Sequence, residues 1–561
     1  MLVAGINLGS TWFGKSLRDG GSCIVNPTGI LVALSEERVS RRKSAGGFDE
    51  SLQLCCSTLG LNLRDIDLVV YSSCCELPRE HFDISTLVGT HTRIRTIPIP
   101  SHHLSHALSA YLASPFEEAI ILVLDSGGNI LSTKGERESE WWKCEREQHS
   151  YYVGRGTSCT LIDRDFFEPF EAGIGELYRA FTKFLGWESY IYSGKTMALS
   201  AYGDDDRFRG VNLFYFDGDR LKSKITNTPL NPIEMLESFA IANEIDFGLR
   251  RNSSEPIDNI HQDIACYIQK QAEMAITQKV IRLYRRTKIK NLCIAGGVGL
   301  NCLINTKLLE ETPIEKIFVQ PAAGDQGQCL GNALYGLFNI LNSKNRFTME
   351  TAYLGPSHSL SRREIEREIR QNYSCLKTVN TEDILETASQ LISQGKIIGW
   401  FQGRSEFGPR ALGNRSILAD PRFAESKNKL NTRIKNRESF LPLAPSVLEE
   451  FASQYFELSH SSPFMLFAPK VKPHKVQEIP AVVHIDATSR VQTVSRRDNP
   501  IFYDLIKRFY EKTGIPILLN TSLNPRGYPI CETVTDALNL LINSELDYLV
   551  IGEVLVERSK N

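Results

Sequence analysis

Ala119–Gly128 reads AIILVLDSGG, six apolar residues closed by an acid, a serine and two glycines. An unbroken apolar run of this length reads as a strand buried on both faces, as in a parallel sheet covered by helices. The small residues behind it form a turn whose backbone N–H groups can approach a phosphate. The same succession stands at the start of the chain, where Leu2–Gly9 ends in Ile6-Asn7-Leu8-Gly9. Two strand-plus-glycine-turn units point to a duplicated, nucleotide-binding half-domain. Between them Gly29–Ser35 and Ile66–Ser72 read as strands and Glu50–Leu59 as a helix, so the first third is α/β.

Two later segments repeat the layout. Asn291–Asn305 (NLCIAGGVGLNCLIN) is strand, Gly296-Gly297 turn and helix, which can set a phosphate or ribose at a helix N-terminus. Close packing of strand on helix is the plainer alternative for paired glycines. Lys316–Ala323 runs likewise into Gly324-Asp325-Gln326-Gly327. A polar stretch from about Asn342 to Ser359, with a Gly-Pro step, reads as a junction between domains at 1–343 and 350–561. The second α/β segment carries strands at Ile397–Phe401, Ile515–Leu519 and Tyr548–Ile551.

The chain has 561 residues, 64 Lys+Arg against 66 Asp+Glu, and 42% hydrophobic residues. Such a composition excludes wholesale disorder, and near-neutrality gives no overall pull towards nucleic acid or an anionic membrane. MLVAGINLGS has neither a basic region nor a long apolar one, and no apolar run approaches the ~20 residues of a membrane helix. A cytoplasmic protein without a leader or membrane segment is expected. The thirteen cysteines then read as free thiols. Cys55-Cys56 and Cys74-Cys75 lack the C-x₂-C spacing that closes a zinc chelate.

Chemistry concentrates in two places. His102 and His106 lie i and i+4 on the helical stretch from Ser101 to Ala113, so both rings share one face and can chelate one ion. Asp125 closes a buried strand, where a carboxylate needs partners, and Asp325 sits in a glycine-flanked loop. Two imidazoles and two carboxylates suit Fe²⁺, Zn²⁺ or Mn²⁺. His103 points to another face and reads as structural or supporting. The second place is Phe401–Arg422 (FQGRSEFGPRALGNRSILADPR), continuing to Arg437. From Arg404 to Arg437 nine basic residues face three acidic ones, within a chain of net charge −2. Gly403, Gly408, Pro409 and Gly413 break it into turns, so guanidiniums and backbone N–H groups could grip phosphates together. The aromatics are too few for a nucleic-acid track. A small phosphorylated ligand fits better. Downstream, Arg490 precedes a strand, and Asn520-Thr521-Ser522 follows another.

Together HHLSH, LDSGG, GGVGLN, PAAGD, FGPRALGNRS and NTSLN resemble the carbamoyltransferases of the NodU/CmcH and TobZ type, over essentially the whole chain. The resemblance implies an N-terminal domain of the duplicated ribonuclease-H-like ASKHA fold, similar to TsaD, and a C-terminal YrdC-like α/β domain. It implies that carbamoyl phosphate and ATP (with Mg²⁺) give carbamoyl-adenylate in the second domain. A hydroxyl of a small, secondary-metabolite acceptor then takes the carbamoyl group in the first. By motif, His102, His106, Asp125 and Asp325 would bind the metal, Fe²⁺ foremost, with His102, His106 and Asp125 catalytic beside Arg410 and Lys435. Arg410, Lys435, Arg490 and Ser522 would contact carbamoyl phosphate and adenylate, with Arg415, Arg437 and Asn520 close by. Lys43 matches a family basic residue near the first glycine turn and would join the cofactor contacts, while Gly296, Gly297 and Asn301 would line the adenylate site of the first domain. A homodimer is compatible with this reading.

The chain departs from its relatives at Arg18-Asp19, where many have His-Asp, after an insertion at Ser10–Leu17. Gly299 replaces an alanine, and Trp141-Trp142 within Lys134–Glu147 reads as an insertion shaping acceptor access. A tRNA threonylcarbamoyl enzyme is disfavoured because Leu104 stands where H-x-E-x-H needs glutamate. A non-enzymatic ASKHA protein is disfavoured by the intact metal constellation, and a sugar kinase by the unexplained C-terminal half.

Overall fold

The computed structural model describes residues 1–10, 18–74, 93–98, 100–132, 143–226, 232–358 and 360–559. Residues 11–17 of the N-terminal insertion, Cys75, and Trp141-Trp142 with 134–140 lie outside the described residues. The chain divides into two units, Met1–Glu36 with Ala45–Met349, and Glu37–Ser44 with Glu350–Asn561. The short stretch Glu37–Ser44 thus belongs to the second unit although its neighbours in sequence belong to the first.

The first unit contains two five-stranded sheets of one topology. Strands β1 (Val3–Ser10), β2 (Gly21–Asn26), β3 (Gly29–Ser35), β4 (Leu68–Cys74) and β5 (Arg93–Thr96) stand in the order β3-β2-β1-β4-β5. The first three pair antiparallel, and β4 and β5 add parallel. In the other sheet β6 (Glu118–Leu124), β7 (His149–Arg155) and β8 (Ser158–Asp165) pair antiparallel. There β11 (Asn291–Ala295) and β12 (Lys316–Val319) extend it parallel, in the order β12-β11-β6-β7-β8. Position for position this is the same ribonuclease-H-like sheet, and its repetition is the duplicated ASKHA fold. A separate hairpin pairs β9 (Phe214–Asp217) with β10 (Arg220–Ser223).

Helices His102–Tyr111 and Gln328–Tyr335 pack against each other so closely that a Cβ on Gly331 would stand 2.0 Å from the Ser105 carbonyl oxygen. Gly5 of β1 gives the second helix similar room. These two contacts bring the ligand-bearing helix, the Asp325 loop and the first sheet into register.

The second unit is built on one eight-stranded mixed sheet, ordered β13-β20-β19-β14-β15-β18-β16-β17. Its strands are β13 (Leu376–Val379), β14 (Ile398–Phe401), β15 (Arg415–Ala419), β16 (Ala444–Leu448), β17 (Gln492–Val494), β18 (Ile517–Ser522), β19 (Tyr548–Ile551) and β20 (Val554–Arg558). Helices Ile384–Ser393, Pro500–Thr513 and Val534–Ile542 bury their apolar faces with Trp400, Ile417, Leu518 and Val550 in one core. This is the α/β layout expected of a YrdC-like domain. No helix among the described residues is long and apolar enough to cross a membrane.

Candidate metal centre and anion site

The i, i+4 spacing places His102 and His106 on one face of their helix, and the fold brings the two aspartates to them. One ligand atom from each of His102, His106, Asp125 and Asp325 lies within 4.8 Å of all the others. Asp125 Oδ2 stands 3.1 Å from His102 Nε2, and Asp325 Oδ1 stands 3.2 Å from His106 Nε2. The crossed distances are 3.5 and 3.6 Å. Both histidines are buried. Burial opposes their charge, but the two aspartates prevail and raise the His106 imidazole to about 9. The imidazoles in turn hold Asp125 well below the usual carboxylate range against its own desolvation. Two nitrogen and two oxygen donors converging in a buried site fit a divalent transition metal.

Residues that periodicity does not reveal hold this cluster in place. Ser101, at the helix start, makes no side-chain cap. Instead Asn129 Oδ1 accepts from the backbone N–H groups of Ser101 and His102 at 2.8 and 2.7 Å, and Glu147 accepts from that of His103. Asn7 Nδ2 donates to the carbonyls of both Asp19 and Asp325, at 3.0 and 2.7 Å. Asp19 has φ 58°, and its carboxylate accepts from the Tyr190 hydroxyl. His103 bonds Ser150 through Nδ1, and burial keeps its ring well below the usual histidine range. The signal for Asn129 and Glu147 lies in tertiary contacts, since both are remote in sequence from the helix they cap.

The glycine turn of β11 packs closely on the neighbouring strand. Gly296 has φ +88°, and a Cβ there would lie 2.3 Å from the Leu124 carbonyl oxygen, so this glycine is required for close packing on β6. Gly297 does face the cluster, for its Cβ would come 3.5 Å from Asp125 Oδ1. Asn301 caps the helix Cys302–Glu311 by accepting from Ile304 N–H and pairs its amide with Gln269. Its side chain is held by these contacts within the protein.

In the second unit Lys435 and Ser522 meet directly. Lys435 Nζ donates to the Ser522 hydroxyl at 3.0 Å and to Asn524 Oδ1 at 2.8 Å. It is buried, and desolvation, with Arg437 adding to it, holds its ammonium well below the usual lysine range. Arg437 is lowered to about 10, by burial first and then by neighbouring Arg490. Asn431 Oδ1 accepts from Arg437 Nε at 2.8 Å. Asn520 donates to Ser446 and Gln492, and its own buried Oδ1 has no hydrogen-bond partner among the described residues. Arg410 and Arg490 are partly buried.

Much of the basic run is used internally. Arg415 is expected among the ligand contacts, but its guanidinium is fully buried, donates to the Gln402 and Gly403 carbonyls and lies over Phe401. Burial makes it a brace of the turn. Glu406 Oε1 accepts the backbone N–H groups of Leu412, Asn414 and Arg415, so the turn expected to offer them to phosphate folds on a carboxylate instead. Arg404 bonds Leu354 and Gly355, while Arg422, Lys429 and Arg433 pair with Asp420, Asp547 and Glu545. Lys43 pairs with Glu37 at 2.8 Å.

Two α/β units in one chain, each with a cluster of buried ionisable groups, mark a two-domain enzyme. Family models for the carbamoyltransferase N-terminus and C-terminus match residues 85–334 and 389–558. The nodulation protein NolNO of Sinorhizobium fredii is 35% identical over 569 residues, covering 97% of this chain and 79% of its own. NolO of Bradyrhizobium diazoefficiens is 37% identical over 465 residues, covering 82% of this chain and 79% of its own. An uncharacterized Synechocystis protein is 31% identical over 613 residues, with 96% and 95% covered. The chain belongs to the carbamoyltransferase family and is a carbamoyltransferase.

Proposed function

We propose that this carbamoyltransferase is ATP-dependent, transfers to oxygen, and works in two steps divided between residues 350–561 and 1–343. In the first step water cleaves carbamoyl phosphate to carbamate and inorganic phosphate. A carbamate oxygen attacks the α-phosphorus of Mg²⁺-bound ATP, and pyrophosphate departs from carbamoyl-adenylate. In the second step the hydroxyl of a small acceptor, of the secondary-metabolite kind, attacks the carbamoyl carbon. The C–O bond to phosphate breaks, AMP leaves, and the hydroxyl proton passes to a base.

The observation that carries this reading is the pair Lys435 and Arg437. Lys435 is buried and Arg437 part-buried, and the hydrogen bonds that hold their side chains go to neutral serine and asparagine groups. A desolvated amine held by neutral partners favours a bound anion, and phosphate supplies one. Ser522 and Asn524 aim the Lys435 ammonium and Asn431 aims Arg437, so donors stand ready where phosphate charge develops. In the other unit Asp19, steadied by Tyr190 and Asn7, supports acceptor orientation. A divalent cation, Fe²⁺, Zn²⁺ or Mn²⁺, held by His102, His106, Asp125 and Asp325 would polarise the carbamoyl oxygen as a Lewis acid. ATP and carbamoyl phosphate as substrates fit a cytoplasmic enzyme.

Purified protein with carbamoyl phosphate and ATP is expected to release pyrophosphate. His106→Ala is expected to keep that release and lose carbamoyl transfer, whereas Arg410→Ala loses both. Mass spectrometry of a metabolite extract incubated with the enzyme and both substrates would reveal the carbamoylated acceptor. Silence across metals and acceptors sinks the reading.

A further inference from the structure

The strand register of the second unit sets Ser446, Gln492, Asn520 and Ser522 on one face of β16, β17 and β18. The first three are buried. Which end of a carboxamide faces a neighbour must be settled by the surrounding hydrogen bonds. Here backbone carbonyls settle it, because a carbonyl oxygen only accepts. Gln492 Nε2 donates to the Leu412 carbonyl at 2.7 Å, so the other end of that amide, towards Asn520, is Oε1. The Asn520 atom 3.1 Å from this oxygen is a donor, Nδ2. The same Nδ2 lies 3.4 Å from the Ala411 carbonyl, which again admits only a donor. Ser446 fits this arrangement, donating to Gln492 Oε1 at 2.6 Å and accepting from Asn520 Nδ2 at 2.9 Å. With its nitrogen committed, Asn520 is left with a buried oxygen that has no hydrogen-bond partner among the described residues.

A buried acceptor without a partner is costly, and a ligand that brings a donor relieves it. Asn520 and Ser522 stand two residues apart on β18, about 7 Å along the strand. Ser522 accepts from Lys435, the amine read above as a phosphate grip. In carbamoyl phosphate the carbonyl and the ionised phosphate oxygens only accept, and the donor is the NH₂ group. One carbon and one oxygen separate that group from phosphorus, so a grip on the phosphate keeps it near. The adenine amine and ribose hydroxyls of ATP lie more bonds away from any phosphorus. We propose that Asn520 Oδ1 accepts from the carbamoyl NH₂ group and selects carbamoyl phosphate against acyl phosphates with a methyl in its place. Gln492 is the positioning residue, because its oxygen holds the Asn520 nitrogen away from the ligand. This inference rests on the phosphate reading of Lys435 and Arg437.

The test uses two phosphonates that cannot be cleaved and differ only at this group, phosphonoacetamide with NH₂ and acetonylphosphonate with CH₃. Calorimetry on the full-length protein gives the Kd of each for wild type, Asn520→Leu and Gln492→Met. Leaving a buried acceptor unpaired costs enough that wild type is expected to prefer the amide by about 10–100-fold. Asn520→Leu removes the acceptor and is expected to bring the two affinities together. Gln492→Met lets the Asn520 amide turn, and the preference is expected to fall by less. A preference that persists unchanged in either variant overturns the proposal. So does proportionate weakening of both ligands, which is what a merely structural role would produce. Thermal melting shows whether each variant folds, and Gln492→Met carries the test if the leucine variant does not. Should wild type bind neither phosphonate, the phosphate reading itself fails. Should it bind both equally, that reading stands and the selection by Asn520 falls.

Discussion

Lys435 is a base whose protonation the fold discourages, and this has a measurable sign. Desolvation and Arg437 lower its free-state value, so an anion binding beside it must raise that value again. The complex then holds more protons than the free protein, and affinity falls as pH rises through the lysine's depressed range. Calorimetry in buffers of different ionisation enthalpy should show proton uptake when inorganic phosphate or carbamoyl phosphate binds. Lys435→Met should abolish that uptake. Asn129 is the other residue whose removal is diagnostic. It accepts two N–H groups at the start of the histidine-bearing helix, and Asn129→Ala should lower stability by about 1 kcal/mol, as a lost N-cap does. Carbamoyl transfer should fall with it while pyrophosphate release persists. The sequence shows which residues carry charge in the basic run, but not which of them are already paired. Lys429 meets Asp547 118 positions downstream, and no local pattern announces such a partner.

At the level of elements, glycine distinguishes positions that tolerate a side chain from those that do not. Gly331→Ala would drive a methyl into the Ser105 carbonyl and separate the two helices that set the cluster, at a cost of about 1–3 kcal/mol. Gly194, within the helix Ser193–Leu199, has open space where an alanine methyl would stand, with nothing within 4 Å, and Gly194→Ala should stabilise by about 0.4–1 kcal/mol. Chemical denaturation of the two variants side by side checks both. Strands with apolar runs such as β6 and β19 are legible because burial on both faces leaves almost no polar residue to confuse the pattern. Strand β7 (HSYYVGR) is not, because it begins with His149 and Ser150, polar residues buried beside the cluster. The duplication could be suspected from two glycine turns. Its proof lies in the strand order, which depends on pairings such as Leu292 with Ile120 that span half the unit.

On the scale of the whole molecule, the units do not follow the chain strictly. Arg38 belongs to the second unit, where it donates to the Glu406 and Gly408 carbonyls and stands 3.8 Å from Glu532, itself buried. Arg41 likewise donates to the Pro529 and Ile530 carbonyls. Breaking a buried ion pair from one side typically costs about 3–5 kcal/mol, so Arg38→Ala should lower the melting temperature of the second unit and slow pyrophosphate release. Synthesis runs the other way. At about 5–20 residues per second, residues 37–44 leave the ribosome roughly half a minute or more before Glu532 exists. Through that interval an arginine destined for a buried site must wait in water, and the last-made part of the chain reaches its final form only by taking back a piece of the first.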